Sequence, residues 1–151
     1  NKKNISKKDF KKFHPSGNLG AKLKTVEDLM LTKEKIPFID EVSTMKVALK
    51  IITSKKLGTL IVRNNRGDTT GIITDGQIRR LVQKNDHLNT LKVKDVMTKN
   101  PFKVNKDVLA IKALSIMNEN KITSLCVFNL KNKKKTIGII HIHNILEVGI
   151  N

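Results

Sequence analysis

The sequence has no tryptophan and no tyrosine, and only five phenylalanines among its 151 residues. That scarcity removes the aromatic platforms on which single-strand and RNA binders stack bases. Cysteine occurs once, at Cys126, which excludes an intramolecular disulfide framework and suits a reducing compartment. Glycine and proline are too sparse for a collagen-like chain. No apolar run approaches the roughly 18 residues that a membrane helix requires. No charged-then-apolar N-terminal stretch marks a secretory signal. Acidic residues are few, 13 against 30 Lys and Arg, which excludes an acidic disordered chain. A cytoplasmic protein that is not anchored in a membrane is the expectation from these absences.

What is abundant is lysine. The net charge of +17 comes from 26 Lys and only four Arg: Arg63, Arg66, Arg79 and Arg80. Specific readers of nucleic acid depend on the bidentate fork of arginine. The lysines travel with 15 Asn and 18 Ile, the joint bias of an A/T-rich coding sequence. Solvated lysine faces therefore account for most of the charge, and a basic nucleic-acid-binding protein stands as an alternative. Either way the charge favours small anions.

The chain repeats itself. Val26-Glu27-Asp28-Leu29-Met30 recurs 67 positions later as Val93-Lys94-Asp95-Val96-Met97. Leu57-Gly58-Thr59-Leu60 is echoed by Ile122-Thr123-Ser124-Leu125, and Thr70-Gly71-Ile72-Ile73-Thr74 by Thr136-Ile137-Gly138-Ile139-Ile140-His141. Pro37-Phe38 and Pro101-Phe102 align after a short length adjustment. Ordered matches at one spacing point to duplication.

Each copy reads as strand, helix, strand, strand, helix. In the first, Ile36 to Ile39 is a strand, and Ser43 caps a helix over 44–54 whose Met45, Ala48, Leu49 and Ile52 share a face. Thr59 to Arg63 and Gly71 to Thr74 form a hairpin around Asn64-Asn65-Arg66-Gly67-Asp68, and a helix follows over 76–83. In the second, Phe102 to Val104 is a strand and Asp107 opens a helix to about residue 118. Ser124 to Phe128 and Thr136 to His141 form the hairpin, and 144–148 closes as a helix. Phe38, Phe102 and Phe128 read as core. A half of about 60 residues has too little interior to stand alone, so the halves should pack together and leave two equivalent clefts between them.

Two copies in this order resemble the cystathionine-β-synthase (CBS) domain pair. The run Asp95-Val96-Met97-Thr98 resembles the start of such a domain, and Gly71-Ile72-Ile73-Thr74-Asp75-Gly76 its second strand and following turn. The resemblance implies an α/β (α+β) fold, a tandem pair of β-α-β-β-α repeats with pseudo-twofold symmetry. The repeats would occupy residues 26–88 and 89–151.

Residues 1–25 belong to neither repeat. Ser6 and Asp9 have capping-box-like spacing for a short helix over 7–13, with Phe10 and Phe13 on one face. His14-Pro15 then stops it, and the glycines of Ser16-Gly17-Asn18-Leu19-Gly20 suit a tight loop. The stretch from Asp9 through His14-Pro15-Ser16-Gly17-Asn18-Leu19-Gly20 to Leu23 is similar to the end of a sugar-phosphate isomerase (SIS) domain. More narrowly it resembles the arabinose 5-phosphate isomerase family, as do Thr74-Asp75-Gly76 with Ile78-Arg79-Arg80, and His141 with His143 and Ile145-Leu146. The resemblance implies an upstream isomerase domain, with residues 1–25 as its C-terminal remnant and linker. It implies interconversion of ribulose 5-phosphate and arabinose 5-phosphate on the route to Kdo and lipopolysaccharide, through an enediol and a moving proton. His14 would then be a catalytic residue of the parent enzyme only. The fragment, lacking the other acid and base groups, would be non-catalytic.

CBS pairs grip adenine nucleotides with a Thr or Ser at the end of the second strand and an Asp three positions on. Here Thr74 is present but the Asp position is Gln77, and the second copy has His141 and Asn144. The missing carboxylates weigh against AMP or ATP, since an amide holds a ribose hydroxyl more weakly. Arg79 and Arg80 stand near a helix start, where an anion is favoured, and Asp75 either caps that helix or orients a ligand. No cofactor is required. A nucleotide-sugar such as CMP-Kdo is the ligand the resemblance suggests, held by Thr74, Asp75, Gln77, Arg79, Arg80, His141, His143 and Asn144. His141 and His143 share a face but are too few for a structural zinc site. The resemblance also implies a homodimer through the CBS repeats and a tetramer in the full enzyme. A purely structural interaction module with empty clefts is the alternative within the same fold.

Overall fold

The computed structural model describes residues 19–84 and 87–151. The readings placed on Ser6, Asp9, Phe10, Phe13 and His14 lie outside these residues. Two short helices come first, α1 (Leu19–Lys22) and α2 (Val26–Leu29). Gly20 therefore sits in a helical turn rather than in the tight loop expected of it. The first half continues with β1 (Phe38–Asp40), α3 (Met45–Lys55), β2 (Thr59–Arg63), β3 (Thr69–Thr74) and α4 (Asp75–Val82). The second half has α5 (Val93–Val96), β4 (Thr98–Lys99), β5 (Lys103–Asn105), α6 (Ala110–Asn120), β6 (Ser124–Phe128), β7 (Gly138–His141) and α7 (Ile142–Leu146). The order β-α-β-β-α stands in both halves.

The central strand of each sheet is apolar on both faces, as a doubly covered strand must be. Leu60, Ile61 and Val62 are fully buried in β2, and Leu125, Cys126 and Val127 are buried in β6. β2 pairs in parallel with β1 and antiparallel with β3, and β6 does the same with β5 and β7. The registers correspond: Thr59 faces Thr74, and Ser124 faces His141. The first hairpin turns where Asn64 Oδ1 accepts from the N–H groups of Arg66 and Asp68, with Gly67 at φ 82°.

The repeated motif helices cross over. Val26 is buried in the second half, with Val104, Ala110, Val127 and Ile140. Val93 is buried in the first, with Ile39, Met45, Leu60 and Ile73. The hydrogen bonds follow the same rule. Val26 N–H donates to Val108 O at 2.8 Å and Glu27 N–H to Lys106 O at 3.0 Å; Val93 N–H donates to Ser43 O at 2.8 Å and Lys94 N–H to Glu41 O at 2.9 Å. β4 adds to the first sheet beside Gly71 and Ile72, while Leu31 bonds in both directions to Ile139 of the second.

This crossing explains the glycines at a spacing of 67. A Cβ on Gly71 would lie 2.8 Å from Met97 Sδ and 2.7 Å from Thr98 O. On Gly138 it would overlap Met30 Sδ and lie 3.0 Å from Leu31 O. Each return strand keeps a bare backbone so that the motif methionine from the other half can lie on it.

The sheets meet through Ile61 and Ile72 of one half and Cys126 and Ile139 of the other, with Ile36 beside them. At one end of this seam the hydroxyls of Thr69 and Thr136 are hydrogen-bonded to each other across the pseudo-twofold. Lys135 reaches Asp68 at 3.1 Å and the carbonyl of Arg66. The Lys135 ammonium holds the Asp68 carboxyl below the usual carboxylate range.

Several local expectations need correction. Thr44, not Ser43, precedes α3, and Leu109, not Asp107, precedes α6; neither offers a side-chain bond to its helix. Both helices are held instead by their buried stripes and by the crossing segments. Phe102 is 52% exposed rather than core, because it precedes β5 at the rim of a groove. Phe38 is half-buried, with the Arg63 guanidinium 3.9 Å above its ring.

Candidate functional site

The starts of β2 and β6 and the ends of β3 and β7 come to the same edge of the molecule. Between them lies a groove of about 850 Å3. Equivalent positions of the two halves line it: Lys56 and Lys121, Leu57 and Ile122, Gly58 and Thr123, Thr59 and Ser124, Thr74 and His141. Its floor is the apolar seam of Ile61, Ile72, Cys126 and Ile139. The groove thus lies on the pseudo-twofold and draws on both halves.

A strand turns into a helix on each side of this groove, and each junction is closed by reciprocal capping. Thr74 Oγ1 accepts from Gln77 N–H at 3.2 Å, and Gln77 Oε1 accepts from Thr74 N–H at 3.4 Å. The Gln77 amide also donates to Val96 O, tying α4 to the crossing helix α5. In the second half His141 Nδ1 accepts from His143 N–H at 3.1 Å, and Asn144 Oδ1 accepts from His141 N–H at 2.8 Å. Thr74 is therefore the N-cap of α4. Asp75, offered by the sequence as a cap, is instead its first helical residue and pairs with Arg79 at 3.1 Å.

Of the sequence-predicted ligand residues, the structure brings Thr74, Asp75, Arg79 and His141 to the groove. Gln77, Arg80, His143 and Asn144 are not among its lining residues. The two amides that replace the expected carboxylates are committed to backbone. His143 lies behind His141, its ring stacked at 4.9 Å between centroids. Burial, and then the nearby His143, lower the pKa of His141 from its ordinary value. Among the described residues, no three of His, Cys, Asp and Glu gather as a metal site.

Sequence reasoning missed Lys56, Lys121 and Phe102. Both lysines end the long helices in the left-handed region, at φ 60° and 55°, where glycine or asparagine is the less strained choice. Their equivalence, 65 positions apart, was the available signal. With Arg79 they place three cations on the groove against the single carboxylate of Asp75. Phe102 adds an exposed ring.

Cys126 lies in the floor, and burial pushes its thiol up to about 11. Iodoacetamide at pH 8 is expected to modify folded protein far more slowly than urea-unfolded protein, followed by mass spectrometry. Equal rates would contradict the buried, protonated assignment.

The CBS domain family model matches residues 26–84 and 93–151. Among curated proteins, the chain is 34% identical to arabinose 5-phosphate isomerase KdsD of Yersinia pestis over 147 residues, covering 97% of this chain and 44% of that protein. It is 36% identical to KdsD of Francisella tularensis over 150 residues, covering 98% and 45%. The chain thus spans under half the length of these relatives. Among solved structures, the CBS domain of the bacterial CNNM/CorC family Mg2+ transporter in complex with ATP superposes with a TM-score of 0.75 at 15% identity, covering 96% of this chain and 100% of that one. CBSX2 in complex with AMP gives a TM-score of 0.69 at 23% identity, covering 82% and 94%. The crossing helices, the paired sheets and the family match in both halves agree: the chain belongs to the CBS domain family and carries two copies in tandem.

Proposed function

We propose that the chain is the regulatory and oligomerising CBS pair of an arabinose 5-phosphate isomerase. Its repeats would occupy residues 26–88 and 89–151, after a remnant of the isomerase domain in residues 1–25. The identity to KdsD proteins over 94–98% of this chain carries the assignment to that enzyme. The parent enzyme would interconvert ribulose 5-phosphate and arabinose 5-phosphate, with His14 in its active site. This portion would not catalyse. It would join subunits as a homodimer, within a tetramer of the whole enzyme in the cytoplasm.

The groove supports a ligand role, because it combines a recessed volume, an apolar floor, hydroxyls and a cationic rim. An anionic nucleotide-sugar such as CMP-Kdo is the ligand proposed, its phosphodiester and carboxylate answering the cationic rim of Lys56, Lys121 and Arg79. Such a ligand regulates only through unequal affinity for two arrangements of the enzyme. Calorimetric titration of AMP, ATP and CMP-Kdo tests this. Heat from CMP-Kdo with the largest affinity is expected; no heat from it with folded protein would discard that ligand.

The engagement of Gln77 and Asn144 in caps favours a second reading, a structural module with no ligand. A ligand at a hundred times its Kd stabilises a fold by about 2.7 kcal/mol. A flat thermal-shift response across nucleotides and sugar phosphates would support the structural module.

A further inference from the structure

The groove is built twice, but one equivalent position differs in kind. Thr74 ends β3 and caps its helix with a hydroxyl that keeps one protonation state. His141 ends β7 and caps its helix with an imidazole. The cap bond, from His143 N–H to His141 Nδ1, exists only while Nδ1 is unprotonated, so the neutral ring carries its proton on Nε2. This is a titratable group whose structural bond and whose charge cannot coexist.

The groups around it set the cost of protonation. From α7 comes the stacked ring of His143; from β6 come Ser124, its register partner, and the protonated thiol of Cys126. Lys121 stands at the end of α6, and Lys56, Asp75 and Arg79 line the opposite half of the groove. Cations outnumber carboxylates on this lining. In an empty groove, a proton on His141 gives up the cap bond and adds charge beside a second imidazole and a lysine. A bound anion reverses the balance, because a cationic ring then faces a negative charge and gains a second donor.

We infer that an anion enters this groove together with a proton taken up from solvent on His141 Nδ1, so that affinity for phosphate- or sulfate-type ligands rises on acidification. The proton displaces the hydrogen bond from His143 N–H, which turns to water. The inference rests on the anion-binding reading of the groove and adds its coupling to pH. Burial lowers the pKa of the ring from its ordinary value and so favours its neutral form in the empty groove.

Inorganic sulfate is the probe, because its charge does not change between about pH 5.5 and about pH 8. CMP-Kdo is the second probe, being a phosphodiester and carboxylate of equally constant charge. Both are titrated into the whole chain at constant ionic strength, with the imidazole signals followed by NMR. One coupled proton sets a ceiling of about tenfold in affinity per pH unit. Affinity is expected to rise toward that slope on acidification, and the His141 titration is expected to move upward in sulfate.

His141→Thr recreates the capping chemistry of Thr74, so the fold has a precedent for the substitution within the same chain. It is expected to flatten the pH dependence of anion affinity. Affinity independent of pH, or a slope retained in His141→Thr, overturns this inference alone. No binding of either anion at any pH overturns it together with the anion-binding reading.

Discussion

Gly138→Ala lowers the stability of the folded chain by about 1–3 kcal/mol, the range for forcing an extra methyl into a packed site. For a chain of this size that is a fall of about 2–4 °C in Tm per kcal/mol. The added methyl would overlap Met30 Sδ, and the backbone oxygen of Leu31 blocks retreat on the other side. Gly71→Ala meets the same obstruction from Met97 and Thr98 O and falls in the same range. Urea or thermal melts followed by circular dichroism measure both. The pairing has an internal check. In the Met30→Ala background the methyl on Gly138 keeps only the Leu31 O contact, so the double variant should lose less than the two single losses combined. Strict additivity would show that Met30 does not press on Gly138.

Val26→Ala and Val93→Ala are each expected to cost about 2 kcal/mol, from the worth of a fully buried valine. The informative part is where the loss is felt. Val26 stands in the first copy by sequence but in the core of the second half by packing. Hydrogen exchange in Val26→Ala should therefore speed up in α6, β6 and β7, while β2 and β3 are less affected. Val93→Ala should do the reverse. Loss of protection that followed the sequence copy would disprove the crossing.

The elements legible from the sequence were those with a strong local signature. The doubly apolar runs Leu60-Ile61-Val62 and Leu125-Cys126-Val127 marked the central strands, and β2 and β6 have the expected bounds. The spacing of Met45, Ala48 and Ile52 marked α3. Capping was less legible, since Ser43 and Asp107 look like caps but lie before the helices begin. The repeated motif itself was visible as Val26 to Met30 and Val93 to Met97, yet its partner was not. Nothing in the local pattern says that Met30 lies on a glycine 108 positions away rather than on its own copy. At the groove, Thr74 and His141 were found because the CBS resemblance puts a ligand contact at the end of the second strand. For Gln77 and Asn144 the sequence shows an amide but not which backbone groups it satisfies. Lys56 and Lys121 escaped because exposed lysines are common in this chain, and their left-handed backbone shows only in three dimensions.

The exchange of Val26 and Met30 for Val93 and Met97 has a consequence for synthesis. The ribosome delivers α2 first, but its cradle on β7 and α6 emerges roughly a hundred residues later. The first half, in turn, lacks Val93 and β4 until translation has entered the second copy. Neither half can close when its own repeat has been made, and the nascent chain must hold apolar surface in waiting. Contacts of such sequence separation slow the final step. A duplicated domain wired in this way assembles late, in one event, after its last strand has left the tunnel.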